Sequence, residues 1–437
     1  MRTNVLLKAM IVFGVAVAFF VPLAMILDVV QSRSRYRDEA RAEIARNTAN
    51  PQYVVGPVIL VSYKAAGPGD GPVREGHAVL LPDSLAIHSQ AHVETRARGI
   101  YRVPVFRAAT RLEAAFDLPA DLVPKDLRLV EEPRVQVAFG VSDPRGIRGG
   151  PDVKIDGVTV RPHAGVGSNW LKTGFGVDLP PGSAGRTVAV QGDLEIMGTE
   201  QLLFLPVGEV TTVDVSSEWP HPSFVGGFLP DTRAVSAKGF QAHWKLSDFA
   251  TGVNDAVARV ERLGAPADQS PGFPDHDLGV RFIQPVDVYQ QSERAVKYGF
   301  LFVLLTLVAF YLFEVLRRLA VHPIQYALCG GALAIFFLLL VSLSEHLPFA
   351  AAYAIASVAC VGLISFYVGH VLRSARRGLA FGGVLGALYG SLYVILMSED
   401  YALLLGAVLL FAALALVMIM TRRVDWYRIS EEAPAAR

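Results

Sequence analysis

The sequence predicts a mixed membrane protein, in which a β-rich extracytoplasmic domain of antiparallel sheets lies between one N-terminal and five C-terminal transmembrane α-helices. Three observations carry that expectation. Of 437 residues, 52% are apolar and 18% charged, where an ordinary soluble chain carries about 25% charge; the mean hydropathy is +0.39. The apolar residues gather in six runs, each near the roughly 20 residues that a helix needs to cross a bilayer. Between the first run and the other five, residues 31–297 are polar and mixed, with short alternating apolar stretches between recurrent Gly and Pro.

The first run, Ala9–Leu27, follows Arg2 and Lys8. It is longer than a signal-peptide core of about 7–15 residues, and no small-x-small cleavage site precedes the charged stretch Asp28–Arg46. Residues 1–30 are therefore expected to be an uncleaved signal anchor, with a kink tolerated at Pro22. Gln31–Asn47 alternates Arg with acidic residues and Ala and reads as a helix leaving the membrane, ended by Pro51. Strand signals dominate afterwards. Val135, Val137, Phe139 and Val141 alternate with other residues, as do Val188, Val190, Leu194 and Ile196, and then Val213 and Val215. Within Val153–Val160, Asp156-Gly157 sits between two β runs, the signal of a type I′ hairpin. Helical periodicity returns over Ala250–Leu263. The domain is long enough for one core or two, and whether it is one β module or two stays open. It contains no cysteine, so its stability must rest on packing.

The remaining runs, about Tyr298–Leu316, Ile324–Leu343, Phe349–Val368, Gly378–Met397 and Tyr401–Met420, leave no room for a domain between them. They form a helical bundle over residues 298–420, followed by a tail of residues 421–437. Arg317 and Arg318, then Arg373, Arg376 and Arg377, then Arg422 and Arg423 mark alternate loops, whereas the loops at Ser344–Pro348 and Ser398–Asp400 hold no Lys or Arg. Basic loops face the cytoplasm, so both termini are expected there and residues 31–297 in the periplasm. Arg33, Arg35, Arg37 and Arg41, just beyond the first span, oppose this count.

Composition excludes several classes. Forty basic residues balance forty acidic ones, a poor charge balance for nucleic-acid binding. Two cysteines, Cys329 and Cys360, both inside spans, supply neither a disulfide framework nor a Cys-based zinc site. No P-loop is present, and nothing in the sequence calls for a cofactor or a metal. The bilayer itself is the one certain partner; an envelope protein or cell-wall component is the other expected one, and a homo-oligomer is allowed.

Unusual residues concentrate in Glu218-Trp219-Pro220-His221-Pro222-Ser223-Phe224 and in Gly239–Trp244. Trp219, His221, Phe224, His243 and Trp244 make a candidate binding surface, since aromatics offer much contact area at little entropic cost. A periplasmic hydrolase built from Ser223, His221 and His243 is the catalytic alternative, although no G-x-S-x-G or H-E-x-x-H pattern accompanies them. Asp143–Gly150 reads as a solvated loop before an anion-binding nest. In the bundle, Glu314 is expected to pair with Arg317 or Arg318 at the interface. Glu345, His346, Glu399 and Asp400 are polar caps, or the outer vestibule of a transporter or channel component. Gly378, Gly382, Gly386 and Gly390 repeat every four residues, a face for close helix packing.

SEWPHPSF at Ser217–Phe224, running through VGGFLP to Pro230, and GFQAHW at Gly239–Trp244 resemble the CreD family of inner-membrane proteins. The resemblance extends through VGP at Val55–Pro57, HPIQY at His322–Tyr326, LSEH at Leu343–His346, ALLLG at Ala402–Gly406 and DWY at Asp425–Tyr427. It implies one N-terminal span, a large periplasmic domain and a C-terminal bundle. It also implies a link to a carbon-source-responsive two-component regulon, envelope integrity, colicin tolerance and β-lactam response. It carries no catalytic residues. The expected protein is therefore a non-enzymatic factor in envelope integrity or stress response, whose outer domain binds a partner or envelope component.

Overall fold

The computed structural model describes residues 5–67, 71–123, 127–166, 171–263, 276–284, 288–317, 321–398 and 401–422. The chain divides into two compact units, one of residues 39–285 and one of residues 1–38 with 286–437.

Helices α1 (Val5–Ala18) and α2 (Phe20–Asn47) open the chain. The break at Phe19 follows from Pro22, whose ring meets the carbonyl of residue 18 and which has no N–H to donate. The helix then runs on to Asn47, as the alternating Arg and acidic residues predict.

The unit of residues 39–285 is a β-sandwich. In chain order its strands are β1 (Gln52–Gly67), β2 (Gly71–Leu80), β3 (Ser84–Arg98), β4 (Tyr101–Asp117), β5 (Arg134–Val141), β6 (Ile147–Ile155), β7 (Val158–Val160) and β8 (His163–Ala164). They continue with β9 (Gly174–Asp178), β10 (Thr187–Thr199), β11 (Gln201–Leu205), β12 (Val210–Ser217), β13 (Pro222–Gly226), β14 (Thr232–Ser236), β15 (Gly239–Ser247) and β16 (Leu278–Phe282). Helices α3 (Asp248–Thr251) and α4 (Val253–Leu263) follow β15. One sheet is ordered β13-β16-β11-β1-β5-β9-β8, with β2 also paired to β1; the other is ordered β14-β15-β12-β3-β4-β10-β6-β7. Pairing is antiparallel except for β1 with β11 and β12 with β3.

A single cluster of buried side chains joins the two sheets: Phe139, Phe204 and Phe282 from the first meet Ile87, Phe106, Phe116 and Trp244 from the second. The open question of one β module or two is thus answered by one core. Alternation places it there. In β10, Val188, Val190, Leu194 and Ile196 are buried while Gln191, Asp193 and Glu195 face outward. Asp156 and Gly157 both take positive φ, 51° and 79°, which is the type I′ turn the Asp-Gly pair predicts between β6 and β7.

The other unit holds α1, the first part of α2, and α5 (Val288–Arg317), α6 (Pro323–Ser344), α7 (Phe349–Val371), α8 (Ala375–Met397) and α9 (Ala402–Thr421). Six helical stretches among the described residues are long and apolar enough to cross a membrane. Their core is aromatic, with Phe310, Tyr326, Phe336, Phe337, Tyr353 and Tyr389 buried together. Helix α9 buries only Gly406.

Candidate functional site

The outer face of the second sheet carries an ordered array of polar side chains. Cross-strand register lines up Thr232, His243, Asp214, His88, Arg111, Asp193 and Asp152, one from each of seven strands. At about 4.8 Å per strand the row is about 29 Å long. Asp214 sits between two imidazoles: His243 Nδ1 donates to Oδ1 at 2.7 Å and His88 Nδ1 lies 3.2 Å from Oδ2. Further along, Arg111 Nε donates to Asp193 Oδ1 at 2.6 Å, and Gln191 supports the other carboxylate oxygen at 2.9 Å. Burial pushes the Asp193 carboxyl up, yet hydrogen bonds from Arg111 and Gln191 and the charges of Arg111 and Lys154 hold it below the usual range.

Parallel rows flank this one. On one side lie Gln241, Ser216, Gln90, Ala109, Glu195 and Arg148; on the other lie Lys245, Thr212, Ala86, Glu113, Gln191 and Lys154. Two open concavities lie along the face, one of about 2080 Å³ over His88, His92, Arg111, Glu195 and Gln241, and one of about 530 Å³ floored by Ala86, Ala115 and Ala189. Chemically the face is a grid of paired donors and acceptors suited to an extended polar partner.

The residues singled out from sequence do not form one surface. Trp244 is fully buried, its Nε1 donating to the Phe228 carbonyl at 3.1 Å, so it is a core residue. Phe224 packs edge-on against Trp244 and Phe240, with ring centroids 5.9 and 5.8 Å apart. Trp219 is half-buried and donates to the Ile283 carbonyl at 3.0 Å. His221 is exposed, and only His243 belongs to the polar array. The hydrolase arrangement is not assembled either. Because Phe224 points into the sandwich, its neighbour Ser223 faces out from the first sheet, while His243, next to buried Trp244, faces out from the second. Stacked sheets stand about 10 Å apart, so this serine and this histidine lie out of hydrogen-bond reach.

The Asp143–Gly150 stretch is a capped turn and strand rather than a solvated loop. Asp143 is buried and accepts from Arg145 Nη2 at 2.6 Å and from the Asn50 N–H at 3.0 Å. The Arg145 side chain, against the opposing effect of burial, holds the Asp143 carboxyl down at about 2, with the Asn50 and Arg145 N–H groups adding to it.

In the bundle, Glu345 accepts from Tyr289 OH at 3.3 Å and pairs with Arg33 Nε at 3.5 Å, while Arg37 lies 6.0 Å over the Tyr289 ring. His346 is exposed; Glu399 and Asp400 lie outside the described residues. Glu314 takes Lys8 as its partner; Arg318 and the side chain of Arg317 lie outside the described residues, as does the DWY motif. Sequence reasoning missed Lys8 because its partner stands 306 positions away. The glycine repeat divides in two. A Cβ on Gly378 would come within 2.6 Å of Gly369 Cα and one on Gly382 within 2.0 Å of Ser365 Oγ, both on α7, whereas Gly386 and Gly390 meet nothing within 4 Å.

The chain covers 92% of a crystal structure of an M1 zinc metallopeptidase from Deinococcus radiodurans bound to a Tyr-Ser-Ala substrate, at 11% identity and a TM-score of 0.22, a likeness too low to bear on fold or function. It is 34% identical over 427 residues to inner membrane protein CreD of Escherichia coli K12, covering 96% of this chain and 93% of that protein. The family model described as inner membrane protein CreD matches residues 4–427, and this multi-pass membrane protein belongs to the CreD family.

Proposed function

We propose that this protein is a non-enzymatic binding factor for the cell envelope. The unit of residues 39–285 lies in the periplasm, both termini lie in the cytoplasm, and the outer face of the second sheet holds a partner protein or envelope component. The observation that carries this reading is the row from Thr232 to Asp152, polar in all seven strands, with largely polar rows on either side. Sheet faces that only need to be wet do not require side chains tied into a grid. Here Asp214 and Asp193 each fix their neighbours, which lowers the ordering cost of binding an extended ligand.

The test is photo-crosslinking in native membranes of the full chain carrying a photoreactive residue at Gln90, on the array, or at Ser223, on the opposite face. The reading expects adducts from position 90, reduced several-fold by Asp214→Asn combined with Arg111→Ala, and none from position 223. Both substituted side chains are about half exposed, so stability changes by about 1 kcal/mol and loss of adducts from a folded chain reports binding. Equal adducts from both positions would remove the outer face as the site.

A further inference from the structure

Three elements of the bundle converge on one buried carboxylate. Glu314, near the end of α5, is 4% exposed. Lys8 on α1 and the Val321 N–H before α6 both donate to its Oε1, the latter at 3.1 Å, and the fully buried Tyr326 on α6 donates to Oε2 at 2.5 Å. Lys8 itself is largely buried. The second ion pair of the N-terminal helix with the bundle, Arg33 with Glu345, lies 25 residues further along, about 37 Å at 1.5 Å per residue. That slightly exceeds the roughly 30 Å of hydrocarbon, so the two pairs stand at opposite membrane faces.

Between them the contacts are apolar. Phe19 covers Gly330, and Phe20 meets Phe300 with ring centroids 4.6 Å apart. Lipid tails are as apolar as these side chains, so such contacts hold a helix against its neighbours without strongly fixing its depth. Sliding by one turn, about 5.4 Å, lifts Phe19 from Gly330 and parts half-exposed Arg33 from Glu345, but its largest cost is that it strands the buried Lys8 and Glu314 without partners. A buried ion pair seldom adds net stability over an apolar pair, and its best-attested role is to fix registry. We infer that the Lys8–Glu314 pair is the register pin of the N-terminal helix, setting its depth against α5 and α6 rather than holding the bundle together.

The test uses the full chain in native membranes with Cys329 and Cys360 replaced by alanine, and reads oxidative crosslinks from Phe20→Cys to Phe300→Cys, Val296→Cys or Leu304→Cys. The last two report a slide of about one turn in either direction along α5. The unpinned variant is Lys8→Met with Glu314→Gln, which removes both charges and leaves a carbonyl for Tyr326 and Val321. With the natural pair, crosslinks form at position 300 alone. In the unpinned variant the protein persists in the membrane at its natural level, and crosslinks at 296 and 304 rise several-fold; Lys8→Arg beside the natural Glu314 keeps them at position 300. Crosslinks that stay at 300 in the unpinned variant would overturn the inference. So would loss of the folded protein in that variant, which would make the pair a stability element instead.

Discussion

Replacing Asp143 by Asn tests the physical account of the β-sandwich where it is most quantitative. Asp143 ties the chain just after α2 to the turn between β5 and β6. It accepts from Arg145 Nη2 and Nε at 2.6 and 2.9 Å, from Asn50 N and Nδ2 at 3.0 Å each, and Arg145 also donates to the Arg46 carbonyl. These donors bring its carboxyl from 3.8 to about 2. One unit is worth 1.36 kcal/mol, which gives roughly 2.4 kcal/mol, reduced to about 1.5–2 kcal/mol because half-exposed Arg145 is screened by water. The folded-state value is depressed, so the contribution is complete above about pH 4 and is lost as pH falls towards 2. Asn keeps the shape and one acceptor but not the charge. Thermal unfolding of the full chain in detergent, followed by tryptophan fluorescence, should show a midpoint about 3–8 °C lower at pH 7. The gap should narrow between pH 4 and pH 2.5. A loss under about 0.5 kcal/mol at pH 7, or a gap unchanged at pH 2.5, would refute the assigned charge network.

Two further pairs of substitutions separate positions that sequence alone treats as equivalent. Trp244→Ala empties a fully buried site and should cost about 3–5 kcal/mol, against about 1–2 kcal/mol for half-buried Trp219→Ala, both read by chemical denaturation; equal losses would contradict the burial assignment. Gly382→Leu collides with Ser365 on α7, whereas Gly386→Leu enters open space. Thermal aggregation in detergent should therefore begin at lower temperature for the first and be unchanged for the second.

Fold class was legible because it rests on patterns of fixed period. Apolar runs set the spans, alternation in Val188–Ile196 set the inner face of β10, and Asp156-Gly157 set the turn that follows β6. The candidate site was far less legible. The row through His243, Asp214 and His88 joins residues from β15, β12 and β3 through one antiparallel and one parallel pairing, and parallel register leaves no mark in adjacent sequence. Trp219, Phe224 and Trp244 drew attention as rare residues in Pro-bounded turns. Aromatic side chains of that kind are also what closes the edge of a sandwich core, and only alternation around Trp244 in the folded strand decides the matter. In sequence Lys8 belongs to the flank of a signal anchor, since no local feature points across the chain to Glu314.

The same distinction bears on the proposed orientation. Arg33, Arg35, Arg37 and Arg41 argue against it when counted as free cytoplasm-seeking charges. In the folded chain Arg33 meets Glu345, Arg37 meets Asp38 and the Tyr289 ring, and Arg41 Nε meets Glu200 at 2.8 Å. Three of the four thus have acidic or aromatic partners of their own, so the cluster has a structural reason to lie where it does. The loop arginines around Arg373 and Arg376 then carry the topological signal. With Cys329 and Cys360 replaced by alanine, Gln90→Cys in intact spheroplasts should react with a membrane-impermeant maleimide, and Arg376→Cys should react only after lysis. Replacing Arg33, Arg37 and Arg41 by glutamine should leave that pattern unchanged, because those side chains serve contacts and not orientation. Protection of position 90 in intact spheroplasts would reverse the orientation and move the polar face of the second sheet into the cytoplasm.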